Sequence, residues 1–151
     1  MKNVILILFA FSLLISCNKD EENTIEIIPI LISKSELYGN GEEEINQSNL
    51  VITDSVNWVE LIMKMDSVNN TSNNFTEIDV DFSQFQIIAI FDEIRPNSGS
   101  SIEILSIKED ERNITVSIGF ISSNGDIPVI NQPFHIVKIK KTEKPVVFID
   151  S

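Results

Sequence analysis

The chain of 151 residues has one cysteine, Cys17, and one histidine, His135. A His/Cys zinc cage and a two-histidine metal motif both need more such ligands than this, so both are excluded, as is a disulfide within the chain. Glycine is scarce, five in all, and forms no phosphate-cradling loop. Residues 17–151 contain neither S-x-x-K nor G-x-S-x-G, which removes two common serine nucleophile frames. No catalytic residue, metal site or cofactor is therefore expected. Basic side chains are also few, 11 against 23 acids, for a net charge of −12. A polyanion repels another polyanion, so nucleic acid is not an expected partner.

What the chain does have begins at its N-terminus. Lys2 is followed by an apolar run over residues 4–15, broken only by Ser12, with the charge and hydrophobic core of a secretory signal. As a helix it would reach about 18 Å against a hydrocarbon core of about 30 Å, too short for a comfortable span. Leu14-Ile15-Ser16-Cys17 resembles the lipobox of bacterial lipoproteins, in which the cysteine sulfur is acylated and the signal is cut before it. That resemblance implies a signal peptide over residues 1–16 and lipidation of Cys17 by acyl groups such as palmitate. An ordinary cleaved signal with an incidental cysteine is the alternative.

Without residues 1–16 the chain keeps 10 basic and 23 acidic residues, a net charge of −13, and an acylated Cys17 leaves no free thiol. Residues 17–24 form an acidic tether. Within it, Lys19-Asp20-Glu21-Glu22 resembles the export tag that some Gram-negative bacteria place after the lipidated cysteine. The resemblance implies an outer membrane lipoprotein exposed at the cell surface. A plain solvated spacer would have the same composition.

Residues 25–151 are long enough for a single globular domain with its own core. Residues 24–32, rich in isoleucine, read as a strand in which Pro29 marks an edge or bulge. Residues 33–49 read as a loop. Residues 51–66 carry Trp58, Leu61, Ile62 and Met65 on one helical stripe, with Asp54 or Ser55 as N-cap. Residues 86–94 and 134–140 are apolar on both alternating faces and read as interior strands covered on both sides. Residues 101–109 and 113–121 read as a hairpin, with Ile114, Val116, Ile118 and Phe120 on one face, and residues 145–150 as a last strand. The expected class is α+β: a mostly antiparallel sheet of about six strands with one amphipathic helix packed on it.

"VDFSQFQIIAIF", "GSSIEILSI" and "QPFHIVKIKK…PVVF" together resemble the C-terminal domain of the PrcB family, over residues 78–148. The family takes its name from a protease complex subunit that is not itself the peptidase. The resemblance implies an accessory role and a protein partner, a protease among the candidates. Where the family favours a Gly-rich bend between its first two strands, this chain has Arg95-Pro96-Asn97-Ser98-Gly99-Ser100.

Four groups of residues are candidate sites. Arg95, Pro96, Asn97 and Ser98 form either a partner-recognition tip or a plain turn. Asp79 and Asp81 with Asp92 and Glu93 offer four carboxylates for Ca²⁺, or merely solvated strand ends. His135 is a general base, a pH-sensitive contact or a structural hydrogen-bonding group. Asp54-Ser55-Val56 and Asp66-Ser67-Val68 resemble a bacterial O-glycosylation sequon, with Ser67 the better acceptor because Ser55 stands at a helix start. The composite expectation is an envelope-anchored, non-catalytic binding module held to the membrane by its N-terminal lipid. The alternatives are a carboxylate-dependent hydrolase and a small-ligand carrier.

Overall fold

The computed structural model describes residues 24–121 and 127–151. The expected signal peptide, Cys17 and all of the tether but Thr24 lie outside the described residues.

Pro29 decides how the chain enters the fold. β1 (Ile25–Ile27) pairs with β5 (Ser101–Glu109), whereas β2 (Ile30–Leu37) pairs with β7 (Gln132–Lys140) in a different sheet. Proline has no N–H to give a ladder, so the expected single strand over residues 24–32 splits at Ile28-Pro29. The remaining strands are β3 (Ser48–Ile52), β4 (Phe85–Phe91), β6 (Ile114–Ile121) and β8 (Val146–Asp150). They form two four-stranded sheets, an outer one in the order β1-β5-β6-β8 and a central one in the order β2-β7-β4-β3. The expectation of about six strands in one sheet is corrected to eight in two. All named pairings are antiparallel except β6 with β8, which is parallel.

The central sheet is covered on both faces. Alternation along β4 sends Ile88 and Ile90 toward the outer sheet, where they meet Ile104, Ile107, Val116 and Ile118. It sends Ile87, Ala89 and Phe91 the other way, against Trp58, Leu61 and Met65 of α1 (Ser55–Met65). The strands expected over residues 86–94 and 134–140 are doubly covered, each face meeting its own apolar layer, although β4 ends at Phe91 and Asp92, Glu93 and Ile94 lie beyond it. On the helix side the aromatic rings of Trp58, Phe75, Phe134 and Phe91 follow one another at centroid distances of 5.9, 6.5 and 5.9 Å. The Trp58 indole N–H donates to the Ile78 carbonyl at 2.8 Å.

The helix starts at the cap the sequence offered, and the first residues of the 51–66 segment precede it as strand. Val51 and Ile52 belong to β3, paired with Ile88 and Ile87, and Asp54 then caps α1 by accepting the Asn57 N–H at 2.9 Å. That exposed cap holds the Asp54 carboxyl below the usual carboxylate range, chiefly through the Asn57 amide. The expected loop over residues 33–49 also shrinks, since it contains most of β2 and the start of β3.

The strand directions give the sandwich two unlike ends. Thr24, the turn between β5 and β6, and the link from β7 to β8 lie at one, the N-terminal end. Residues 38–47, 92–100 and 127–131, together with Ser151, lie at the other. A nine-residue strand such as β5 separates the ends by about 30 Å.

Candidate functional site

Arg95 organises the distal end. Its Nε and one terminal nitrogen donate to the two carboxylate oxygens of Asp92 at 2.8 and 3.2 Å, and the other terminal nitrogen pairs with Glu93 at 2.8 Å. The guanidinium also lies 4.5 Å from the centroid of the Phe120 ring. Asp92 is fully buried, so this fork neutralises a charge that would otherwise stand alone in the interior. Donating to the Asp92 carboxylate in turn holds the guanidinium's proton more firmly than usual.

Backbone contacts join the neighbouring loops to this clamp. Arg95 and Asn131 exchange N–H and carbonyl groups at 2.7 and 3.0 Å. The Asn131 side chain donates to the carbonyls of Asn97 and Val129, and the Ser98 N–H to that of Ile127. Gln132 ties in the third loop, donating through one nitrogen to the carbonyls of Ile45 and Asp92. Within residues 38–47, buried Glu43 accepts the Gly39 N–H at 2.7 Å, and any side chain on residue 39 would overlap the Glu43 carboxylate. Gly99, at φ +92°, makes the sharp bend with one glycine rather than a glycine-rich run.

The result is a preset tip whose outward groups are Ile94, Pro96, Asn97, Ile127 and Ile130. Beside it is a cavity of about 450 Å³ lined by Asp92, Arg95, Phe120, Gln47 and Asp150. Pro96 and Asn97 are exposed and Ser98 is half-buried, whereas the Arg95 side chain folds back into the clamp instead of reaching outward. The sequence reading missed Asn131, Gln132 and the exposed isoleucines. Only the Asn-Gln pair ahead of Pro133 hinted at them.

The other candidates are scattered. Asp79 and Asp81 precede β4, while Asp92 and Glu93 follow it, and a seven-residue strand holds its ends roughly 20 Å apart. The four carboxylates are therefore not brought together. Asp81 instead accepts the N–H and hydroxyl of Ser83, which pull its carboxyl below the usual range. Among the described residues, no group of three or more His, Cys, Asp or Glu is placed to hold a metal ion.

His135 is buried between the sheets, where Nδ1 accepts the Ile104 N–H at 3.0 Å beside a register shift in β5. Ser67 is exposed just past α1, its hydroxyl donating to the Lys64 carbonyl at 2.8 Å. The neighbouring Asp66 is engaged by the N–H and hydroxyl of Ser72.

No protein-family model, curated protein or solved structure matches this chain.

Proposed function

We propose that the protein is an envelope-anchored lipoprotein whose domain binds a protein partner through its distal loops and performs no chemistry itself. The observation that carries this reading is the opposition of the two ends. The described chain enters at Thr24, at the N-terminal end, and the loops clamped by Arg95 stand about 30 Å away along the strands. In a protein tethered at Cys17, that end would face away from the lipid.

Rigid loops lose little freedom on association, and exposed isoleucines beside polar groups make a contact surface of the usual kind. Ile94, Ile127 and Ile130 are 44%, 62% and 43% exposed. The PrcB-like segments include β4, β5 and β7, which frame this end, so a protease complex is the first class of partner to test. The acidic run after Cys17 favours display on the outer face of the outer membrane.

The test is affinity capture on intact cells with the lipidated protein as bait, in parent form and as Ile94→Asp and Asn97→Arg. A partner retained by the parent and lost by both variants supports the reading. Identical captures would remove the distal loops from it.

A further inference from the structure

At the N-terminal end the two sheets part around a cavity of about 520 Å³. Its walls are apolar: Ile27, Ile28, Ile30, Phe85, Ile114 and Ile139. Ile28 and Ile30 do not close it, being 88% and 50% exposed. Such side chains in water are unfavourable unless something apolar covers them.

The mouth of this cavity is basic. Of the nine lysines and arginines among the described residues, Lys108, Arg112, Lys138, Lys140, Lys141 and Lys144 all lie at this end. This end also carries exposed Glu26, Asp79, Asp81, Glu111 and Glu143, so the basic character is local to the rim, where Lys138, Lys140 and Lys141 stand beside Glu109. Glu77 pairs with Lys138, Glu109 with Lys144, and Asp110 accepts the turn N–H groups of Arg112 and Asn113. Lys141 donates to the carbonyls of Thr53 and Phe82. Lys140, exposed on the cavity rim and paired with Phe85 through its backbone, has no side-chain hydrogen bond or ion pair among the described residues. A chain of net charge −12 thus places a cation without a partner among the described residues beside an open apolar cavity.

The chain outside the description leads to the same place. Residues 1–23 precede Thr24, and Cys17, seven positions earlier, lies within about 25 Å of it even with the backbone fully extended. We propose that this end docks on the membrane, the cavity receiving an acyl chain of an anionic phospholipid while Lys140 meets its phosphate. The proposal rests on the lipoprotein reading for its tether and on the cavity for everything else. Cys17 brings the domain to the bilayer, and the cavity then fixes its orientation, leaving the distal loops outward.

The test uses the full lipidated chain in vesicles, with an environment-sensitive fluorophore on Ile28→Cys or, as the far-end control, on Asn97→Cys. Vesicles are either phosphatidylcholine alone or phosphatidylcholine mixed with phosphatidylglycerol, both carrying a nitroxide on the acyl chains. Quenching at position 28 should exceed that at position 97 and should be stronger in the anionic mixture. Lys140→Glu should weaken that composition-dependent part about fivefold or more. All three altered side chains are exposed, so unchanged urea midpoints exclude misfolding as the cause.

Palmitate incorporation is scored on the same samples. Absence of acylation defeats the lipoprotein reading alone, and docking is then judged by adding the unacylated chain to the same vesicles. Equal quenching at positions 28 and 97, or quenching indifferent to both lipid composition and Lys140→Glu, overturns the docking and leaves a passive tether.

Discussion

His135 works as an acceptor, and that role defines its pH behaviour. Nδ1 must be unprotonated to take the Ile104 N–H, and burial, seconded by the nearby Lys34 charge, lowers its pKa from 6.5 to about 4. Glu103 opposes this but is engaged by Lys34 at 2.8 Å. The unfolded chain therefore binds the proton first as pH falls. The stabilisation is complete above pH 6.5 and is lost as pH falls toward 4. The full displacement corresponds to about 3 kcal/mol, and solvent reaching the ring reduces this to about 2 kcal/mol. Urea unfolding across that range should show the decline, and His135→Asn, which keeps an acceptor near the Nδ1 position, should flatten it. An unchanged slope in the variant would assign the titration to carboxylates. Arg95 makes a second residue-scale case. Arg95→Ala strands buried Asp92 and should cost about 2–3 kcal/mol, below the usual figure for a buried pair because the arginine side chain is one-quarter exposed. Arg95→Lys should recover only part of this, since a lysine cannot form the fork. Equal stability of the alanine variant in urea would mean that water replaces the guanidinium.

At the scale of elements, Trp58 tests whether α1 is part of the core or an ornament on it. Its side chain is 2% exposed and its indole N–H is satisfied by Ile78. Trp58→Ala should cost about 3–5 kcal/mol in urea unfolding, and a loss near zero would mean that the helix is dispensable to the central sheet. The spacing of Trp58, Leu61 and Met65 made this element readable, because a helical stripe needs no knowledge of its partner. β4 and β7 were readable for a related reason: strands apolar on both faces have only an interior place to go. β3 was not, because Ser48 and Asn49 read as the end of a loop while Val51 and Ile52 stand directly ahead of the helix cap, and only their pairing with β4 makes them a strand. The split at Pro29 was half legible, since proline announces an interruption but not that the two pieces join different sheets. The distal site was legible only in outline. Residues 95–98 were found as a loop, but the clamp depends on Asp92, Phe120 and Asn131, which the sheet topology brings together from separate stretches of chain.

At the scale of the whole molecule, the proposed function assigns the N-terminal end to the membrane and the opposite end to a partner. Cys17→Ala should release the protein from the membrane fraction, since among the described residues no helix is long and apolar enough to cross a bilayer and one or more acyl chains would supply the hold. Palmitate labelling that survives the change would contradict the lipobox assignment. The central claim concerns the far end, where three loops locked around Arg95 offer Ile94, Asn97 and Ile130 to a partner. Site-specific photo-cross-linking on intact cells tests it most directly, with the photoreactive group placed in turn at Asn97, at Ile130 and at Leu105 on the exposed face of the outer sheet. The prediction is one shared protein adduct from positions 97 and 130 and none from position 105. Adducts from position 105 alone, or the same adduct from all three, would contradict it.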